Sequence, residues 1–413
     1  MFKTTHNYSL VNAVLPAATA NRIVDSTISQ SGSSLLMWKA RGTQLKDSWY
    51  QTWLPPISPA RSMLQLLVPN NEVSRVVAKV IDEGNLHRQA TGAVYSTPCE
   101  HVYLGSRFSA WPVEETQVSE PVHQVNENLS VIYCVVGRKD SDRIAKAAIN
   151  CGSHGPIVHY AEGRGLRDRL GWLRITKEAE KDVLMVIADQ NDVDEVFDAM
   201  ARAGQVHRPG RGFMYRLPIN SGLFNLPSRV SHRHYDANMQ QMIHAIDHLA
   251  GHKHWRDQSG IEVFGNAKST GTGAVTEAQK GMRDQACVSG IINRDNLHDL
   301  QELMLDAGAP GLNINHARFI ANGLADQTND NSGLRVNHEY SLLRCVTSHA
   351  AAEQICASID ASAEDRGLKD LCMLVQQVPR VATYVPGRKD YRRAGPNAQP
   401  APASLATANA SAS

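Results

Sequence analysis

Gly84-Asn85-Leu86-His87-Arg88-Gln89-Ala90-Thr91-Gly92 and Gly204-Gln205-Val206-His207-Arg208-Pro209-Gly210-Arg211-Gly212 both read GxxHRxxxG. The phrase starts at 84 and again at 204, an offset of 120. Each copy follows a helical pattern, over 73–82 and 193–203, and precedes a strand-like run, Ala93-Val94-Tyr95 or Phe213-Met214-Tyr215. A phrase returning in the same context at a domain-sized interval marks an internal repeat.

The match runs backwards. The apolar run 62–68 returns at 182–188, again at 120. Arg22-Ile23 returns as Arg143-Ile144, and Ala40-Arg41-Gly42 as Ala161-Glu162-Gly163, both at 121, so one residue is gained or lost between. A more divergent third copy starts near Ser289; Gly308 and Gly311 answer Gly152 and Gly155 at an offset of 156. Strands rich in Val, Ile and Leu alternate with helices carrying apolar residues at helical spacing, such as Ile144, Ala147 and Ala148. In the second copy the order is strand 129–136, helix 140–151, strand 157–161, loop 162–181, strand 182–188, helix 193–203, strand 212–217. This βαββαβ order predicts an α+β chain of three tandem ferredoxin-like modules. Each module leaves one sheet face uncovered by its helices, so three sheets packed around an axis would bury one another. The expected layout is module 1 over 1–108, a linker over 109–128, module 2 over 129–227, a His-containing insertion over 228–286, module 3 over 287–386, and a disordered Ala/Pro/Ser/Asn-rich tail over 387–413.

The totals fit a globular protein: 413 residues, 42% hydrophobic and 20% charged. Lys and Arg number 42 against 41 Asp and Glu, a formal net charge of +1, which argues against broad nucleic-acid binding. The seven cysteines form no CxxC pair, and their odd number fits reduced thiols in a cytoplasmic protein. No run of 18 apolar residues suggests a membrane span. The mildly apolar run 8–20 is interrupted by Asn12 and preceded only by Lys3, so it reads as structure and not as a signal peptide.

Glycines at Gly163, Gly165, Gly204, Gly210, Gly212, Gly92 and Gly42 let backbone N–H groups approach a phosphate. Arg164, Arg208, Arg211 and Arg88, with His207 and His87, supply donors for its oxygens. Plain turn chemistry explains the same residues without a ligand. The segment 163–171, Gly-Arg-Gly-Leu-Arg-Asp-Arg-Leu-Gly, resembles the T-loop base of the nitrogen regulatory P-II and P-II-like family, and 203–212 resembles its B-loop. The resemblance covers the second copy, much of the first, and only the architecture of the third. It implies a trimer-like signalling protein in which small effectors, usually adenine nucleotides (ATP, ADP, AMP or a cyclic nucleotide), bind in inter-module clefts. The T-loops then engage a protein partner such as a membrane transporter, in nitrogen or inorganic-carbon uptake, or an enzyme. Three fused copies imply a pseudo-trimer, cytoplasmic or held at a membrane only through its partner. The first copy lacks one of the glycines, and the third has Ala317-Arg318-Phe319-Ile320 in place of the GRG and Gly367-Leu368-Lys369-Asp370 in place of the B-loop.

Trp49, Tyr50 and Trp53 in the T-loop-like segment of the first copy read either as a partner anchor or as packing. His244 and His248 lie at i, i+4 on an expected helix over 236–250, a spacing that binds zinc or simply packs. No nucleophile elbow, Walker loop or acid–base pair names a reaction, so a regulator and not an enzyme is expected. A scaffolding subunit that has lost nucleotide binding is the alternative, followed by a metal-binding protein.

Overall fold

The computed structural model describes residues 3–31, 34–42, 60–88, 91–105, 108, 125–151, 153, 155–165, 180–225, 246, 249–250, 282–321 and 336–384. The fold is α+β, with six α-helices among these residues and one antiparallel sheet of 15 strands. In chain order the elements are β1 (Lys3–Thr5), β2 (Tyr8–Pro16), α1 (Ala17–Ser31), β3 (Leu35–Gly42), β4 (Ala60–Pro69), α2 (Val73–Gly84), β5 (Gly92–Cys99) and β6 (His101–Leu104). Then come β7 (Leu129–Gly137), α3 (Ser141–Asn150), β8 (Ile157–Gly165), β9 (Glu180–Asp189), α4 (Val193–Gly204), β10 (Gly212–Ile219) and β11 (Ser221–Asn225). The last are β12 (Met282–Asn293), α5 (Leu297–Asp306), β13 (Gly311–Ala321), β14 (Val336–Ser348), α6 (His349–Ser362) and β15 (Cys372–Thr383).

The succession strand, helix, strand, strand, helix, strand occurs three times, and each time the strands take the same lateral order. It is β3-β4-β2-β5 in the first unit, β8-β9-β7-β10 in the second and β13-β14-β12-β15 in the third. Three apolar clusters lie between helices and sheet, one for each unit: Ile23, Val77 and Ile81 belong to the first, Ile144, Phe197 and Met200 to the second, Leu300, Ile355 and Ile359 to the third. A fourth cluster joins all three units, with Trp38, Met63 and Tyr95 beside Tyr133, Met185 and Tyr215 and beside Phe319, Leu342 and Leu374. The sheet faces left bare by the helices are thus buried against one another, as strand alternation requires.

The second strands meet at the centre. Ala40, Arg41 and Gly42 of β3 register with His159, Val158 and Ile157 of β8; Gly163 and Gly165 of β8 with Asn313 and Gly311 of β13; Met37 of β3 with Arg318 of β13. At the rim, each unit sends a strand to its neighbour. β6 of the first unit pairs with β15 of the third, β11 follows the second unit and pairs with β5 of the first, and the far end of β15 pairs with β10 of the second.

Several expectations shift. β6 and β11 lie beyond the expected six elements of their copies. β8 runs to Gly165, so the glycines at 163 and 165 stand in a paired strand instead of opening a loop. β12 reaches back to Met282, inside the segment assigned to the insertion, because its first residues pair with β15. Trp49, Tyr50, Trp53, His244 and His248 lie outside the described residues, as does the tail. No helix among the described residues is long and apolar enough to cross a membrane.

Candidate functional site

Register defines equivalent positions in the three units. Arg61 faces Ala40, Lys181 faces Ala161 and Tyr340 faces Ala317 across the second and third strands. One residue earlier on the second strands stand Lys39, Tyr160 and His316; before those stand Trp38, His159 and Asn315. The ends of the first strands lead to Ala17, Arg138 and Arg294, opposite Ala60, Glu180 and Glu339 in the opening residues of the third strands.

These positions enclose a cavity of about 790 Å³ where β3, β8 and β13 converge. Ala40, Ala161 and Ala317 are small at equivalent places and leave the space. The lining carries Lys39, Arg61, Arg138, Lys181, Arg294 and Arg318 as cations, and Glu162, Glu180 and Glu339 as carboxylates. Arg138 is paired with Glu180 and lies 4.5 Å over the Tyr160 ring. Arg294 pairs with Glu339 at 2.5 Å, and His316 Nε2 lies 3.3 Å from Glu162. Arg61 donates to the Thr91 carbonyl at 3.1 Å, and burial pulls its guanidinium below the ordinary value. Among the described lining residues the three carboxylates are each within reach of a cation or a histidine, and the cations outnumber them six to three. Such a site, half apolar and carrying surplus donors, suits a small anion-bearing molecule.

Below the cavity the centre is polar. Trp38 is 6% exposed and contributes to the cavity wall, while its indole Nε1 is shut off from solvent and has no hydrogen-bond partner among the described residues. Its ring meets His159 edge-on at 6.0 Å. The Asn315 amide donates to the Tyr160 carbonyl at 2.8 Å and stands 2.7 Å from His159 Nδ1, which leaves the ring proton on Nε2. Burial, helped by the Arg344 charge, pulls the imidazole down to about 3, so it is neutral. Arg41 reaches across units to the buried Asp182 at 3.3 Å. Arg344, also buried, packs over the Tyr133 ring at 5.4 Å.

Among the described residues, none of the glycines, arginines and histidines offered from the sequence as phosphate ligands lines this cavity. Gly42, Gly163 and Gly165 end the strands that frame it; Arg164 lies half exposed, 3.8 Å from Glu162. The two GxxHRxxxG segments sit where the second helix turns into the fourth strand of their units. Asn85 and Gln205 cap α2 and α4 in the left-handed conformation, and a Cβ on Gly84 or Gly204 would press on Leu86 or Ile144. At Gly92 and Gly212 a Cβ would stand 2.2 Å from the Val14 carbonyl oxygen and 2.1 Å from that of Val135. The repeated glycines therefore answer to close backbone approach. His87, Arg88, His207 and Arg208 are exposed, and Arg211 pairs with Asp140 at 3.5 Å. Gly210 holds φ +74° in the turn.

Among described residues His298, Asp299 and Glu302 cluster on α5, with Glu302 held by Arg366 at 3.0 Å. All seven thiols are free, and burial raises Cys99 to about 12 and Cys356 to about 11. Thiols held protonated by burial are poor nucleophiles.

No family model matches the chain, and no curated protein matches it in sequence. Among solved structures it is similar to Arabidopsis thaliana PII bound to citrate, at 16% identity and a TM-score of 0.18, covering 23% of this chain and 78% of that one. It is also similar to a microcompartments protein from Desulfitobacterium hafniense DCB, at 11% identity and a TM-score of 0.16, covering 64% of this chain and 98% of that one.

Proposed function

We propose that the chain is a P-II-like regulatory protein, three ferredoxin-like modules fused into a pseudo-trimer, that senses a small effector and transmits its presence to a partner protein. The supporting observation is the central cavity. It is lined from both feet of the segments 43–59 and 166–179, at Ala40 and Ala60 and at Glu162 and Glu180, and from the strands flanking 322–335 at Arg318 and Glu339. An occupant there touches the roots of all three connections at once, which is what coupling an effector to three output segments needs. The surplus of cations over carboxylates favours an anionic effector, and an adenine nucleotide or a small polycarboxylate fits the volume. The partner, a transporter or an enzyme, would be engaged through those segments, with Trp49, Tyr50 and Trp53 in the first.

A second reading is favoured by the glycines of the two repeated phrases. Their service to the backbone leaves the sequence resemblance without a ligand to explain, and a scaffolding subunit with no effector then suffices. A thermal-shift screen with ATP, ADP, AMP, cyclic AMP and citrate, read beside protease sensitivity of 43–59 and 166–179, separates the two. The regulatory reading expects at least one compound to raise the Tm and change the cleavage pattern. No response to any of the five overturns it in favour of the scaffold.

A further inference from the structure

β6 pairs with β15 and β1 with β6, so the two short strands form a strap by which the first unit holds the third. The register sets Lys3 against Leu104, Thr4 against Tyr103 and Thr5 against Val102. Carried on by one residue, it sets His6 against His101. Directly opposed residues stand on the same face of a sheet. Val102 belongs to the shared interior, whereas Tyr103 packs on the third unit's own cluster, which holds Ile355 and Ile359 of α6. By alternation His101 lies on the side of Tyr103, toward α6, and His6 lies there with it. α6 itself opens at His349. The corner where the strap meets the first turn of α6 therefore gathers three histidines and the carboxylate of Glu100.

The distances suit a metal. The rings of His6 and His101 stand 5.0 Å apart, centroid to centroid, at 69°. Two imidazoles on one tetrahedral zinc, each with Zn–N of about 2.0 Å, place their centroids about 5 Å apart. His6 Nδ1 lies 3.1 Å from the Glu100 carbonyl oxygen. A carbonyl only accepts, so Nδ1 carries the ring proton and Nε2 keeps its lone pair. Metal-bound imidazoles commonly donate their second nitrogen to a backbone carbonyl in this way, which fixes ring and tautomer. On the other side of the corner the Glu100 carboxylate lies 3.9 Å from His349 Nδ1. The four groups do not meet at one point as they stand. Glu100 and His349 reach the histidine pair by turning side chains that are 37% and 42% exposed.

We propose that His6, His101, His349 and Glu100 bind one divalent transition metal ion, of which zinc is the type, and that the ion staples the strap of the first unit to α6 of the third. Imidazoles with a single carboxylate suit zinc and its neighbours and not magnesium or calcium. The ligands come from three separate stretches of chain and two units, so the ion binds the closed arrangement and stabilises it by linkage. The site is independent of the central cavity and of any effector there.

The test is zinc titration of the chelator-treated full chain, read by calorimetry and by Tm, with magnesium as the control. Zinc should raise the Tm and magnesium should not. His6→Ala and His101→Ala should each weaken one zinc equivalent by about tenfold or more and remove most of the rise in Tm. His349→Ala and Glu100→Gln should weaken the same equivalent by a smaller factor. The double change His244→Ala/His248→Ala should leave that equivalent and the rise in Tm in place. The substituted strap residues are exposed, and circular dichroism checks that each variant is folded. Unchanged zinc stoichiometry and affinity in both His6→Ala and His101→Ala overturns the proposal. So does an equal rise in Tm with magnesium, or loss of the zinc equivalent in the His244→Ala/His248→Ala chain alone.

Discussion

Gly212 and Gly210 stand two residues apart in one turn and meet different constraints. Gly212 has φ +124° and a carbonyl oxygen 2.1 Å from where a Cβ would lie; Gly210 has a left-handed φ of +74°. Gly212→Ala should therefore cost about 3 kcal/mol, through backbone strain and displaced β7, against about 1 kcal/mol for Gly210→Ala. Urea denaturation of the two variants checks the order. His159 carries a pH dependence. Its folded pKa, about 3, lies below the ordinary 6.5, so the unfolded chain binds the proton first. Its contribution to stability is whole above about pH 6.5 and drains away as the pH falls toward 3. His159→Gln should flatten the stability profile across that window, measured by denaturant titrations at successive pH values; an unchanged slope would show that the ring is not buried neutral. These residues differ in how they show in the sequence. The glycines recur as letters because the backbone needs them twice. Trp38, His159 and Asn315 occupy equivalent places yet share no chemistry, so no repeated letter announces them, and the same holds for Ala17 and Ala60 against the Arg–Glu pairs of the other units. The candidate site was hidden because it is made of the differences between the units.

Among the elements, β15 does the most to join units. Its Arg380 reaches α4 of the second unit, donating to Asp194 at 2.8 Å and Asp198 at 2.7 Å while lying 4.6 Å over the Phe197 ring. The Arg380 side chain is 12% exposed and the carboxylates are about half exposed, so solvent screens the pair in part. Arg380→Ala should cost about 1–2 kcal/mol, lost packing on Phe197 included, and a double-mutant cycle with Asp198→Ala should show coupling of about 0.5 kcal/mol or more. Zero coupling would make the contact incidental. The main strands and helices were legible from apolar runs and helical stripes, since each satisfies local periodicity. β6 and β11 were not. They are four and five residues long and exist because a partner strand from another unit accepts them. Short edge strands carry almost no pattern of their own.

The molecule as a whole has one shared interior behind three local ones. Tyr95 of the first unit lies 3.1 Å, hydroxyl to hydroxyl, from Tyr133 of the second, and accepts no solvent. Neither hydroxyl titrates in the ordinary range, since burial raises both, Tyr95 the further. Removing one unit would bare an apolar face on each of the others. We therefore expect a single cooperative unfolding transition for the full chain, with far-UV circular dichroism and tryptophan fluorescence coinciding. A chain ending at residue 227 should lack a cooperative transition. Separate transitions in the full chain would show that the units are independent. The need for mutual burial was readable from three half-covered sheets; the order in which the rims interlock was not, because it depends on strands without a pattern.

That interlocking has a consequence for biosynthesis. β6 emerges from the ribosome early, whereas its partner β15 is made after every other described strand. At roughly 5–20 residues per second the first unit waits on the order of tens of seconds with an open edge. An edge in that state pairs readily with a neighbouring nascent chain. Tethering all three units in one polypeptide makes the final closure a first-order event that competes well with such encounters. A stop codon before Cys372 should accordingly yield insoluble material and not a smaller working protein, and pulse-labelled chains should gain protease resistance only after the last strand is released.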